Sequence, residues 1–178
     1  MPALYAHLGN ALAFDFDPEN SQRARAISER FDDERGVRDA GLALSALLAL
    51  PECSGGAGVV GQGLGGRIAL LLPAGDARLA CAVASYPRDV KDLHQATRRI
   101  ACPSVIHLAI SGDAAADGTL LQALSGNSQV TVQACTAGPG FDNANLPGYD
   151  RSAHWLAKTR TLALLRAQLG PVYDLARL

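Results

Sequence analysis

Short apolar runs alternate with longer amphipathic stretches along most of the chain. Each of the apolar runs has the length and bounding turn signals of a buried strand, and they cover 57–61, 79–86, 104–111 and 129–136. Stretches with helical apolar spacing predict helices at 22–31, 34–50, 63–72, 114–124 and 152–169. Continuous apolar strands separated by helices are typical of a parallel sheet that is covered on both faces. The predicted fold class is therefore α/β, with a parallel sheet of about four strands flanked by helices.

The last predicted helix has its own apolar stripe and a clear end. Trp155, Leu162, Leu165 and Leu169 recur at helical spacing, and we expect this stripe to be buried. Gly170 and the proline after it predict the end of the helix.

Length and charge exclude several classes of protein. With 178 residues, 48% of them hydrophobic, the chain is expected to fold as one domain over 1–178. Its 16 basic and 17 acidic residues give a net charge of -1 and form no groove-like basic cluster, so we expect neither nucleic-acid nor membrane binding. No apolar stretch is long enough to span a bilayer and no secretory signal is evident, so the expected location is cytoplasmic.

The cysteines are scattered instead of clustered. Cys53, Cys81, Cys102 and Cys135 form no CxxC pair, so a thiolate zinc site is not expected. In a cytoplasmic protein they are expected to be reduced and to pack as small apolar side chains. We predict no metal ion and no other cofactor.

A glycine-rich turn, GVVGQGLGGRIALLL, allows more than one interpretation. Gly61, Gly63 and Gly66 satisfy G-x-G-x-x-G, in which glycines let the backbone approach a pyrophosphate at a helix N-terminus. The same segment fits the G-x-nucleophile-x-G frame of a nucleophile elbow, with glycine at the central position. The turn could also be a closely packed strand-to-helix connection that binds nothing. These residues alone leave all three interpretations open.

Further segments make the chain resemble the dienelactone hydrolase family of the α/β-hydrolases, whose members hydrolyse lactones and esters. In the family's order, they are LYAHLGN, RFDDERGVRD, LPECSGGAGVVGQGLGGRIA, ACAVASY, CPSVIHLAIS, AGPGFDN and YDRSAHWLAKTRTLALLRAQLGPVYDL. Together they extend over nearly the whole chain. The resemblance favours the elbow interpretation and implies a partial α/β-hydrolase fold.

The resemblance implies a cysteine nucleophile, a histidine base and an orienting aspartate. Gly63 stands at the nucleophile position and Pro139 at the histidine position of the family's A-G-H-G-F loop. Alignment from His107 puts the acid at Gly112, so Asp113 could be a remnant acid only after a local shift. The resemblance thus implies a catalytically inactive relative that acts as a small-molecule-binding protein or an interaction subunit.

The resemblance also places a ligand cleft at the carboxyl ends of the strands. We expect Leu64, Tyr86, Ser111 and Phe141 to line this cleft, with the Leu64 amide as the remaining oxyanion donor. His7 is expected near its mouth, where a basic side chain could contact an anion.

Two other functions remain open, as does the question of partners. The chain could be an active lactone or ester hydrolase that uses substitute residues, or a nucleotide-binding module on the turn between Gly61 and Gly66. Family members have strands upstream of LYAHLGN, so we expect the strand holding Ala57 and Val60 to have an open edge. Residues 1–16 are expected to cover that edge, or a homodimer or another partner to pair there.

Overall fold

The structure is a computed structural model that describes residues 18–53, 55–110 and 112–170. Its strands and helices alternate as the apolar pattern predicts. They are α1 (Pro18–Ser28), α2 (Asp33–Leu48), β1 (Gly58–Gln62), α3 (Leu64–Leu71), β2 (Cys81–Ser85), a 3₁₀ turn (Val90–Leu93) leading into α4 (His94–Thr97), β3 (Ser104–Ala109), α5 (Ala114–Leu124), β4 (Val130–Cys135) and α6 (Arg151–Leu169).

The strands form one parallel sheet in the order β1-β2-β3-β4. Val60 of β1 pairs with Val83 of β2, which pairs with Val105 of β3, which in turn pairs with Thr131 of β4. Every residue of β2 is buried, as a central strand requires. All strands run in one direction, so their carboxyl ends lie at the same edge of the sheet. The α/β class and the sheet of four parallel strands are confirmed.

Alternating side chains of β3 contact different layers of the protein. Ile106 and Leu108 belong to the main hydrophobic core, which also includes residues of α2, α3 and α5. His107, between them, points to the other face and meets Thr161 of α6. The helix α6 therefore covers the face of the sheet opposite the main core.

Some expectations about the helices need correction. Helix α1 begins at Pro18, earlier than predicted. Proline suits the first position of a helix, because an N–H at that position has no acceptor within the helix. The short helix α4 was not predicted. In α6 the expected buried stripe is wrong: Trp155 is 52% exposed and Leu169 is 37% exposed, whereas Ala157 is buried. Small side chains let α6 approach the sheet closely, and its large apolar side chains are left at the boundary with solvent. No helix in the described part of the chain is both long and apolar enough to cross a membrane.

Candidate functional site

The connection between β1 and α3 is a sharp turn centred on Gly63. Its φ of 53° and ψ of -116° lie outside the regions that residues with a side chain favour. The Gly63 amide donates to the carbonyl of Ser85 at 3.0 Å, and its carbonyl accepts from the amide of Arg88 at 2.9 Å. The turn is thus fastened to the end of β2. An added Cβ would meet only Cε2 of Tyr86, at 3.8 Å, so the position has room for a side chain.

Two glycines that flank this position are explained by close packing. A Cβ on Gly61 would overlap the carbonyl oxygen of Gly65. A Cβ on Gly66 would lie 3.0 Å from the carbonyl oxygen of Ser85 and 3.3 Å from Cα of Pro87. The glycine pattern therefore follows from the close approach of β1, α3 and the end of β2, and no phosphate is needed to account for it.

The turn opens onto a cavity of about 840 Å³, which we call the cleft. Four positions singled out from the sequence meet there: Gly63, Leu64, Tyr86 and Pro139. The wall opposite the turn includes residues of α1 and of the loop before α6. The full lining is Ala24, Arg25, Ile27, Ser28, Gly63, Leu64, Tyr86, Pro87, Arg88, Asp89, Pro139, Gly140 and Leu146.

No histidine or cysteine lines the cleft within the described ranges. The hydroxyl of Ser28 accepts a 2.6 Å hydrogen bond from Nη1 of Arg88, which also donates to the Ser28 carbonyl at 2.7 Å. Arg67 donates to Asp33 at 2.8 Å and to the Asp89 carbonyl at 3.1 Å. Arg88 therefore connects α1 with the segment after β2, two walls of the cleft, and Arg67 connects that segment with α2.

Tyr86 forms one wall and has an unusual backbone. Its φ is 37°, a left-handed conformation that is uncommon for a bulky residue and is typical of functional sites and tight turns. The hydroxyl donates to Oδ1 of Asp142 at 2.7 Å, and Nε2 of Gln62 donates to the other carboxylate oxygen at 2.8 Å. Burial, reinforced by the nearby Asp142 carboxylate, raises the pKa of Tyr86 well above its ordinary value of 10.

Phe141 does not line the cleft as expected. It is fully buried and packs edge-on against Tyr86, with ring centroids 5.4 Å apart and planes at 75°. The correction has a simple cause, because Phe141 belongs to the small core beneath α6 and supports Tyr86 from behind.

Asp113 has a structural role in the part of the chain that is described. It is the N-cap of α5, where Oδ1 accepts from the amides of Ala115 and Ala116 at 3.1 and 3.2 Å. It does not line the cleft. The candidates Ser111 and His7 lie outside the described residues.

Two histidines take part in contacts on the α6 side of the sheet. His107 is fully buried, and its Nε2 lies 3.1 Å from Oγ1 of Thr161. Burial, with a contribution from Arg160, lowers the pKa of His107 to about 4, so this side chain is neutral at pH 7. His154 lies with Nδ1 3.2 Å from the carbonyl oxygen of Asp142. The role of Asp142 has no signal in the sequence, because its partners Tyr86 and Gln62 are far away along the chain.

Comparisons with known proteins agree with the fold. The family model described as the dienelactone hydrolase family matches residues 1–169. A carboxymethylenebutenolidase from Pseudomonas sp. (strain P51) is 30% identical over 171 residues, which cover 93% of this chain and 71% of the relative. Carboxymethylenebutenolidase 1 from Cupriavidus pinatubonensis is 26% identical over 174 residues, covering 96% of this chain and 74% of the relative.

Solved structures show the same architecture. A crystal structure assigned as a dienelactone hydrolase from Klebsiella pneumoniae aligns with a TM-score of 0.73 at 18% identity, covering 92% of this chain and 72% of that one. A dienelactone-hydrolase-like promiscuous phosphotriesterase from metagenomic libraries aligns with a TM-score of 0.61 at 21% identity, covering 90% and 71%. The parallel sheet and its flanking helices are therefore an α/β-hydrolase-like arrangement.

Proposed function

The chain belongs to the dienelactone hydrolase family, and on that premise we propose that it is a catalytically inactive member whose cleft binds a small, largely apolar molecule. One observation carries the proposal. Gly63 keeps the backbone conformation of an elbow turn and opens onto the cleft, but it has no side chain that could attack a substrate.

The base is lost as well. Pro139, at the family's histidine position, lines the same cleft and has no titratable group. One element of the catalytic arrangement remains, since the Leu64 amide is in the first turn of α3, where amides have no acceptor within the helix. A carbonyl or carboxylate oxygen of a ligand could accept from this amide without any bond being broken.

The lining indicates the kind of ligand. Ala24, Ile27, Leu64, Leu146 and the ring of Tyr86 supply mostly apolar surface, and the volume lies in the range of ordinary small-molecule sites. Nη1 of Arg88 and the hydroxyl of Ser28 are hydrogen-bonded to each other. We infer a ligand with an apolar body and one or two oxygen acceptors, such as a lactone or an ester.

Two measurements on the purified chain test the proposal. The first is hydrolysis of an enol-lactone and of nitrophenyl acetate, with Gly63→Ala as a companion variant that adds a methyl group at the centre of the turn. We expect the native chain to match the buffer blank. Turnover above the blank would contradict inactivity and favour a hydrolase with substitute residues.

The second measurement is thermal stabilisation by the same enol-lactone. Ligand at a hundredfold excess over its dissociation constant should stabilise the chain by about 2.7 kcal/mol. Ile27→Trp, which fills the cleft, should abolish the effect, whereas Leu42→Trp, at a position that is 65% exposed on α2, should preserve it. Equal stabilisation of both variants would rule out binding in the cleft. Stabilisation by NAD or NADP would instead favour the nucleotide-binding alternative.

Location and partners complete the proposal. All four cysteines are free thiols, and Cys81, Cys102 and Cys135 are buried, which supports a reducing compartment such as the cytoplasm.

We also propose that a second copy of the chain pairs at the β1 edge. Within the described residues β1 has β2 as its only neighbour, and Val60 is 54% exposed there.

A further inference from the structure

A second cavity lies between β1, the loop after β4 and α6. It has a volume of about 180 Å³, several times that of a water molecule, and we call it the small pocket. Val60 and Ala157 contribute apolar surface. Its polar lining consists of Gln62, Ser85, Asp142, His154, Lys158 and Thr161. None of these residues lines the cleft.

Each oxygen of the one carboxylate in the small pocket already accepts a hydrogen bond. Oδ1 of Asp142 accepts from the Tyr86 hydroxyl and Oδ2 accepts from Nε2 of Gln62. The Asp142 carbonyl accepts from Nδ1 of His154. These donors partly compensate the negative charge of Asp142, so Asp142 repels an anionic ligand less strongly than a carboxylate without donors would.

His107 makes the hydroxyl of Thr161 a donor toward the small pocket. Nδ1 of His107 is buried and has no hydrogen-bond partner in the part of the chain that the structure describes. A neutral imidazole carries one N–H, and placing that proton on Nε2 allows it to be donated to Oγ1 of Thr161. The alternative tautomer would leave a buried N–H unpaired. Thr161 thus accepts from His107 and keeps its own proton for a group in the small pocket.

Lys158 supplies the positive charge. Its ammonium lies 4.9 Å from the ring centroid of Trp155, at the exposed side of α6. None of the ion pairs in the described part of the chain includes Lys158. Ser85, which ends β2 and is only 6% exposed, adds a second hydroxyl donor. The small pocket is therefore lined by two hydroxyl donors and by Lys158, a cation whose contact with the Trp155 ring is not an ion pair.

We propose that the small pocket binds a small oxyanion, either a carboxylate or a phosphate group, through Lys158, Thr161 and Ser85. These groups offer an ammonium and two hydroxyls to oxygen atoms of the ligand, and charge-assisted hydrogen bonds of this kind are the strong ones. The site is separate from the cleft, so it can be present whether or not the cleft binds a lactone.

Amide NMR spectra of the intact chain test the proposal. Sodium acetate and sodium phosphate are titrated separately at pH 7, with sodium chloride at matched ionic strength as the reference. We expect saturable shifts of the amides of Ser85, Asp142 and Thr161 with at least one of the two oxyanions. A response to acetate alone identifies a carboxylate site, and a response to phosphate alone identifies a phosphate site.

Variants distinguish a specific site from general charge effects. Lys158→Gln and Thr161→Val should each weaken the apparent affinity by about tenfold. Lys91→Gln removes the only other lysine, at an exposed position away from the small pocket, and should leave the affinity unchanged. The same spectra show whether each variant is folded. Absence of saturable shifts, equal shifts with chloride, or an unchanged affinity in both pocket variants would overturn the proposal.

Discussion

The hydroxyl of Tyr86 donates a 2.7 Å hydrogen bond to Oδ1 of Asp142, and this bond connects the cleft with the small pocket. Tyr86 lines the cleft and Asp142 lines the small pocket. Phe141 supports the ring of Tyr86 from behind. The cleft and the small pocket therefore meet at the hydrogen-bonded pair of Tyr86 and Asp142.

The raised pKa of Tyr86 makes stability depend on alkaline pH. The folded chain keeps the phenol proton above pH 10, where the unfolded chain loses it, so the stability from this group is lost as pH rises above 10. Tyr86→Phe should therefore show a smaller fall in stability between pH 9 and about pH 11 than the native chain. Urea unfolding at both pH values measures the difference. Tyr149→Phe, at a residue 38% exposed, is the control and should behave like the native protein.

The lowered pKa of His107 makes the stability of the chain depend on acidic pH. Its pKa falls from the ordinary value of 6.5 to about 4 in the folded chain, so the unfolded state binds the proton first. Stability should be fully present above pH 6.5 and be lost as pH falls toward 4, by on the order of 3 kcal/mol. Urea unfolding of His107→Gln against the native chain isolates this contribution. A native profile that is flat between pH 7 and pH 5 would contradict the assignment.

Neighbouring glycines of the elbow should respond differently to the same substitution. Gly61→Ala places a methyl group against the backbone of Gly65, and we expect the free energy of unfolding to fall by about 3 kcal/mol or more. Gly65→Ala meets no atom within 4 Å and lies within α3, so it should stabilise the chain by about 0.5–1 kcal/mol. Denaturant unfolding measures the free energy of unfolding of both variants and tests this prediction. Equal destabilisation would mean that the turn is not packed as described.

Pairing at the β1 edge predicts an effect on oligomeric state. Val60→Lys places a charge on the exposed edge strand, and charged edge residues oppose pairing with another strand. We expect light scattering to show a dimer for the native chain and a monomer for the variant. Leu47→Lys, at an exposed position of α2, should leave the dimer intact. A native chain that stays monomeric at high concentration would exclude pairing of two copies.

The sequence predicted the parts of the fold that depend on local patterns. The strands of the sheet and the bounds of α5 followed from the apolar pattern. Gly63, Leu64, Tyr86 and Pro139 line the same cleft. That a ligand binds there stays a prediction. Each of these predictions rests on a short motif, and parallel strands bring their carboxyl ends together whatever lies between them.

Contacts between distant segments could not be predicted in this way. The partners Tyr86 and Asp142 are 56 positions apart, and His107 and Thr161 are 54 apart, so neither pair leaves a motif. The stripe of α6 was wrong for a related reason. Periodicity identifies apolar residues, but the close approach of a helix to a sheet selects small ones, and Ala157 is the buried residue there.

The conformation of Gly63 also bears on how much further change the chain tolerates. A residue with a side chain held in such a conformation costs about 1–3 kcal/mol, whereas glycine adopts a positive φ without this steric cost. Enzymes accept this cost because the turn presents their nucleophile, which is one source of the trade-off between activity and stability. A chain with glycine at this position is released from that trade-off. Placing a nucleophilic residue at Gly63 would add this cost, and the chain would then tolerate fewer destabilising substitutions elsewhere.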